Sequence, residues 1–260
     1  MQGTFLFLGT GGSAGIPVIT CKCAVCQSRS QLNKRYRPSA LITVGKKAFV
    51  IDVGPDFRDQ ALHFNIDHLD GVLLTHTHYD HIGGLDEWRV FYFKHKIRLP
   101  TLASIDTYDE LRNRFHYLFK TKQSDGTLQS QLDFHILEED FGKVKFQGLN
   151  LEYVSYFQAN MKVTGFRFGE LAYISDIREY EDKVVDSLQG VKTLVISALR
   201  YMPSEVHFSI EEAIAFSRKV GAKRTFFTHI AHDLEHDETN QKLPNDMRLA
   251  HDGLELKFNL

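Results

Sequence analysis

Apolar positions along the chain fall into short runs, not into long helical stripes. Residues 4–8 form an apolar, aromatic run that Gly9-Thr10-Gly11-Gly12-Ser13 closes, which reads as a strand entering a loop. Runs at 39–45 and 47–53 flank Gly45-Lys46 and predict a hairpin. The second run ends in Asp52-Val53-Gly54-Pro55, and Asp56 is placed to cap a helix reaching to about Phe64. Residues 71–75 are a buried-type strand. A helix is expected from Asp80, or from just after Gly83-Gly84, carrying Trp88, Phe91 and Tyr92. Residues 105–131 read as helical and then polar, with Phe115, Tyr117 and Phe119, and suit a lid or a covering helix.

Strands dominate again from Leu132, at 133–137, 143–147, 149–156, 162–168 and 170–175. A helical run near 178–188 follows, then a strand at 192–197, a helix at 209–220 and a strand at 223–228. There is no fixed-period repeat and no Pro/Ser-rich linker. The expectation is one α/β domain over residues 1–260, with two mixed sheets packed face to face and helices outside.

Composition narrows the function. The chain has 260 residues, 43% hydrophobic and 25% charged, which excludes disorder. At that length about three quarters of the unfolded surface can be buried, so no staple is needed to supply a core. The net charge of −2 shows no basic excess of the kind that a duplex or tRNA binder carries. The start lacks a basic segment before its short apolar run, and no apolar stretch approaches the ~20 residues of a membrane span. A cytoplasmic location without a membrane partner is expected.

Two clusters carry chemistry. His76-Thr77-His78-Tyr79-Asp80-His81 follows a strand, so His76 and His78 point the same way on extended chain while Asp80 and His81 turn back at a helix start. Imidazole and carboxylate together suit Zn²⁺, Mn²⁺ or Fe²⁺. All three cysteines, Cys21, Cys23 and Cys26, lie within six residues. An odd, tight cluster reads as metal ligation, one ligand short of a closed tetrahedral zinc site. Gly9-x-Gly11-x-x-Ala14 nominally fits a dinucleotide fingerprint, but the first acid of the chain is Asp52, and the fingerprint needs one about 20 residues on. Asp176 ends the apolar strand Ala172-Tyr173-Ile174-Ser175, where a turn residue, a helix cap or a ligand can stand. His207 precedes the helix at 209–220.

His-x-His-x-Asp-His after an apolar strand resembles the signature of the metallo-β-lactamase superfamily. Residues 9–17, the cysteine spacing, Asp52-Val53-Gly54-Pro55-Asp56-Phe57-Arg58 and Thr228-His229-Ile230-Ala231-His232-Asp233 resemble the branch that contains the phosphoribosyl 1,2-cyclic phosphate phosphodiesterases. The resemblance implies an αββα sandwich with two metals at one edge. It assigns Asp80, His81 and His229 to one metal, His76 and His78 to the other, and Asp176 to a bridge between them. It also implies a structural Zn²⁺ on Cys21, Cys23, Cys26 and His232. His207 becomes a non-ligand active-site histidine that assists the leaving alkoxide. The catalytic centre would take one or two Zn²⁺ or Mn²⁺, or Fe²⁺.

One position departs from that pattern. The family's histidine seven residues before the glycine of Gly165-Phe166-Arg167 is Gln158 here. The metal on His76, His78 and Asp176 would lose its third imidazole, and bind weakly or be completed by Gln158 and water with a harder ion. The expected function is metal-dependent hydrolysis of a small phosphodiester, cyclic or linear, by a metal-activated water, with Asp80 holding its proton. The expected partner is that small molecule, with a homodimer admitted. Competing readings are an RNA-processing nuclease like tRNase Z, a lactone or thioester hydrolase of the same fold, and a degenerate protein that binds without turnover.

Overall fold

The computed structural model describes residues 1–119 and 130–260, and within them two seven-stranded sheets pack face to face. The first holds β1 (Gln2–Gly9), β2 (Ser39–Val44), β3 (Lys47–Ile51), β4 (Gly71–Leu73), β5 (Leu99–Ser104) and β6 (Leu132–Leu137). The second holds β7 (Phe141–Phe146), β8 (Leu149–Gln158), β9 (Met161–Phe168), β10 (Leu171–Ile174), β11 (Thr193–Ser197), β12 (Arg224–Thr228) and β13 (Met247–Leu249). The chain then returns as β14 (Glu255–Asn259) to pair with β1.

The two sheets share one plan. In the order β14-β1-β2-β3-β4-β5-β6, three antiparallel pairings are followed by three parallel ones. The order β7-β8-β9-β10-β11-β12-β13 repeats that pattern. Parallel neighbours need a crossover, and helices supply it. Phe57–His63, Arg89–His95 and Ile105–Arg114 cover the first sheet, and Asp182–Ser187, Ile210–Val220 and His236–Lys242 cover the second.

Strands covered on both faces are apolar throughout, which is why they read as continuous runs. Along β3, Phe49 and Ile51 face the opposite sheet, while Ala48 and Val50 face the helices. Along β10, Leu171 and Tyr173 face the other sheet, and Ala172 and Ile174 meet the outer helices. Three apolar layers result, one between the sheets and one beneath each set of helices. This is an αββα sandwich.

Several elements differ from the sequence expectation. Asp56 sits at the start of Phe57–His63 without capping it. Its carboxylate instead accepts from the Arg37 backbone N–H at 2.8 Å and pairs with the Arg37 guanidinium at 2.7 Å. The helix expected from Asp80 is broken into Tyr79–Ile82, a tight turn Leu85–Trp88 and Arg89–His95. Gly84, between the first two pieces, lies so close to Gly54 that a Cβ there would stand 2.2 Å from its carbonyl oxygen. The run at 178–188 is helical only over Asp182–Ser187, since Glu179 bridges to Phe157. Of the segment 105–131, Ile105–Arg114 and His116–Phe119 are helical, and residues 120–129 lie outside the described residues. Strands β5, β13 and β14 were not expected. β5 carries Pro100, and β13 and β14 interleave charges with their apolar residues. No helix among the described residues is long and apolar enough to cross a membrane.

The layer between the sheets carries much of the stability. Phe7 is fully buried there, with its ring centroid 4.8 Å from that of Phe5. Phe7→Ala should lower the unfolding free energy by about 3–5 kcal/mol, read as a shift in the urea midpoint at unchanged slope.

Candidate metal centre

The chemistry-bearing residues collect at the edge where parallel strands of both sheets end. β4 leads to His76-x-His78-x-Asp80-His81, β8 ends at Gln158, β10 leads to Asp176, and β12 leads to His229. His207 lies on the loop between β11 and the helix Ile210–Val220. Open α/β sheets place ligands at such carboxyl ends. A cleft of about 620 Å³ opens there, lined by His78, Asp80, Gln158, Asp176, His207 and His229 together with Ser13, Tyr79, Asn160, Met161 and Val206.

The expected ligands converge except for His78, which meets His76 but joins no ion-sized group. His81 Nε2 is 2.9 Å from Asp176 Oδ2 and 3.5 Å from Asp80 Oδ2. His229 Nε2 is 3.3 Å from Asp80 Oδ2 and 3.1 Å from Asp176 Oδ1. His76 Nε2 and His78 Nδ1 are 3.0 Å apart. The groups His76–His81–Asp176, Asp80–His81–His229 and Asp176–His207–His229 each lie within the span of one ion. Bond lengths of ~2.0–2.1 Å to zinc imply tetrahedron edges of about 3.3 Å, close to these separations. His81 Nε2 is buried and close to two carboxylates, yet it makes no hydrogen bond to either. Lone pairs that meet at a common point instead of at each other are what a metal site requires.

Buried charge sharpens this requirement. Burial opposes ionisation of Asp80, but His81 and His229 outweigh it and hold the carboxyl well below its usual range. Burial likewise opposes the charge of Asp176, and His229 and His81 hold it low. His81 is raised well above its usual value, because Asp176, Asp80 and Asp52 together overcome its burial. His229 is raised by Asp176 and Asp80 against the same penalty. His76 is pushed well down, by burial and then by His81. The cluster demands cations, and imidazoles that would otherwise hold protons release them when a metal binds.

Backbone and neighbouring groups fix the ligands. Asp52, Asp176 and His229 all adopt left-handed φ, at 58°, 53° and 57°. Such backbone costs on the order of 1–3 kcal/mol at a non-glycine residue and clusters where function needs it. Asp52 is a residue that sequence reasoning left without a role. It is fully buried, accepts from the Thr75 N–H at 2.8 Å and from the Thr75 hydroxyl at 2.7 Å, and meets His81 Nδ1 at 2.7 Å. Thr75 Oγ1 in turn lies 2.9 Å from His76 Nδ1. One carboxylate therefore orients two imidazoles with Nε2 free for a ligand role. Its only signal in the sequence is an acid ending an otherwise apolar strand.

The glycine-rich loop is a strap, not a nucleotide cradle. Gly11 bridges to Ile230, the Gly12 N–H donates to Ile230 O at 3.0 Å, and the Ile230 N–H donates to Thr10 O at 2.9 Å. A Cβ at Gly12 would come within 3.4 Å of His229 Nδ1, so the loop lies directly against that imidazole.

A second cluster lies three residues past His229. The sulfurs of Cys21, Cys23 and Cys26 are 3.3, 3.4 and 3.5 Å from His232 Nδ1, and none forms a disulfide. Bonds of ~2.3 Å to sulfur and ~2.0–2.1 Å to nitrogen give an edge of about 3.6 Å, so the four atoms fit around one zinc. The short helix Ala24–Gln27 holds the spacing, with the Cys26 N–H donating to Cys23 Sγ at 3.4 Å.

The comparisons with known proteins agree with this fold. A family model described as beta-lactamase superfamily domain matches residues 47–230. The chain belongs to the metallo-β-lactamase superfamily. Within it, the fold is similar to a crystal structure of a new diphosphatase from the PhnP family, with a TM-score of 0.91 and 36% identity over 99% of this chain and 98% of that one. Zn²⁺-bound PqqB from Methylobacterium extorquens shares the fold at a TM-score of 0.76 and 17% identity, covering 97% of this chain and 99% of that one. An octanoyltransferase from Porphyromonas gingivalis is 33% identical over 96% of this chain, which spans only 50% of that protein.

Two outcomes are expected of this metallo-β-lactamase fold. Asp52→Asn keeps the shape and removes the charge behind His81, so metal affinity at the catalytic edge should fall about 10–100-fold in titration of metal-free protein. In protein stripped of metal, the Cys26 N–H and His232 lower the Cys23 thiol to about 6, whereas burial raises Cys26 to about 11. At pH 7 alkylation should therefore reach Cys23 before Cys26, as mass spectrometry of timed samples would show, and bound zinc should suppress both reactions.

Proposed function

We propose that this protein is a metal-dependent hydrolase of phosphoric esters, acting on a small phosphodiester. The observation that carries the reading is the convergence of Asp80, Asp176 and the imidazoles of His76, His81 and His229 beside an open cleft, with His78 Nδ1 3.0 Å from His76 Nε2. Asp80, His81, Asp176 and His229 would hold one metal, and His76, His78 and Asp176 its neighbour. Bound there, Zn²⁺, Mn²⁺ or Fe²⁺ would activate water and polarise the phosphoryl oxygens. Cys21, Cys23, Cys26 and His232 would hold a separate structural zinc that ties the N-terminal loop to the segment after β12.

The residues of the chain supply position and proton transfer. Asp80 lines the cleft with its carboxyl ionised, and can accept a hydrogen bond from the attacking water and orient it. His207 lines the same cleft, within reach of a leaving alkoxide. The resemblance to a PhnP-family diphosphatase supports phosphoryl chemistry. The chain spans half the length of the octanoyltransferase relative, so the activity in that relative's name is not carried over to it. The net charge of −2 favours a small substrate over RNA.

Gln158 favours one second reading, a metal-binding protein without turnover. A panel of cyclic and linear phosphodiesters, offered after metal stripping with Zn²⁺, Mn²⁺ or Fe²⁺, separates the two. Turnover of at least one diester is expected, and Asp80→Ala should reduce it roughly 10²–10⁴-fold without changing the circular dichroism spectrum. Stoichiometric metal with no turnover across the panel would establish the second reading instead.

A further inference from the structure

His229 differs from His76 and His81 in what holds its ring. Thr75 and Asp52 meet the Nδ1 atoms of those two, but His229 Nδ1 is buried with no hydrogen-bond partner among the described residues. A ligating histidine almost always gives its other ring nitrogen a partner that fixes the ring. The His229 backbone is also left-handed, at φ 57°, and such a conformation persists only where its surroundings over-determine it. Stacking on His207, at a centroid separation of 4.8 Å, supports one face of the ring. The rest of its placement falls to the main chain on either side.

That main chain is clamped by the glycine-rich strap. The Ile230 N–H donates to Thr10 O at 2.9 Å, and Ile230 O accepts from the Gly12 N–H at 3.0 Å. Both arms of this clamp run on into the cysteine cluster. Two residues past Ile230 the chain reaches His232, whose Nδ1 faces three sulfurs. The strap continues through Ile16, which packs against Val25 and Cys26, and the Val18 N–H donates to Cys26 Sγ at 3.3 Å. An ion on all four ligands would tie segments 206 residues apart and close the two arms into a ring around the clamp. The strap has a second anchor that needs no metal. Buried Arg35 pairs its main chain with Ile16 at 2.8 and 2.9 Å and donates to Thr10 Oγ1 at 2.7 Å and to Ala250 O at 2.6 Å. Among the described residues, none of its hydrogen bonds reaches residues 229–232.

We infer that the cysteine site positions His229, so that an ion on Cys21, Cys23, Cys26 and His232 sets how tightly the catalytic edge holds its own metal. The inference rests on the metal-dependent reading above and adds a coupling between the two sites. Cys21 and Cys23 are partly exposed, whereas Cys26 and the ligands at the edge are mostly buried. A chelator or thiol reagent therefore meets the cysteine site first, and loss of its ion loosens the edge without touching an edge ligand.

Metal binding and backbone protection test this without reference to turnover. Cys21→Ser/Cys23→Ser leaves two ligands, too few to hold zinc, and alters only partly exposed side chains. With its fold checked by circular dichroism, calorimetric titration with Zn²⁺ should show the edge binding at least about 10-fold more weakly than in natural protein already loaded with one zinc. His232→Cys replaces Nδ1, the ring nitrogen nearer the backbone, with a fourth sulfur, and should keep both the cysteine-site zinc and the natural affinity at the edge. In the natural sequence, the first zinc should slow hydrogen exchange at the Gly12 and Ile230 amides before the edge fills. A folded, zinc-free double variant that binds metal at the edge as tightly as the natural protein would overturn the inference and leave the Arg35 anchor sufficient. Unchanged exchange at Gly12 and Ile230 on loading the first zinc would overturn it as well, whether or not the variant folds. Natural protein that takes up no Zn²⁺ beyond the first, and no Mn²⁺ or Co²⁺ in its place, would overturn the metal-dependent reading itself.

Discussion

Two ionised carboxylates buried at one sheet edge are the constraint on which the rest depends. Asp80 and Asp176 are each less than a tenth exposed, and both lie against the same pair of imidazoles. Charges of one sign in a water-poor site are tolerated only beside an opposite charge. Every other feature of the edge meets that need. Asp52 orients His81 directly and His76 through Thr75, the Gly11–Ile230 bridge holds the chain at His229, and left-handed backbone at three positions aims the ligands inward.

The shared plan of the sheets explains why the ligands come from such distant stretches of sequence. Each sheet changes from antiparallel to parallel pairing midway, at β3 in one and at β10 in the other. Asp52 follows the first of these strands and Asp176 the second, both in left-handed conformation. The two acids are counterparts with different tasks: Asp52 stands behind an imidazole, and Asp176 stands between imidazoles. The centre is assembled across the joint between two similar halves.

Much of this was legible in the sequence because it is local. The strands read as apolar runs, and His76, His78, Asp80 and His81 lie within six residues on one strand-to-helix turn. The helix Ile210–Val220 carries its own signature, Ser209 and Glu212 forming a capping box and Gly221 closing it at φ 75°. What was not legible is decided by partners far along the chain. Asp56 reads as a cap until Arg37 claims its carboxylate. β13 and β14 carry charges that only an edge strand or its neighbour can turn to solvent. Asp52 shows no local sign of the histidine 29 residues away that it supports.

The pairing of β14 with β1 has a consequence for how the molecule comes to be made. Residue Gln2 lies opposite Asn259, so the first sheet gains its outer strand only from residues near the far end of the sequence. Contacts of such long separation are slow to form, because a loop of nearly the whole chain must close first. On the ribosome, β1 emerges before β14 and exposes an edge through the synthesis of everything between. The half that carries His76 to His81 therefore remains open on one side until β14 has been made. During that interval its unpaired edge is a target for chaperones and for wrong partners.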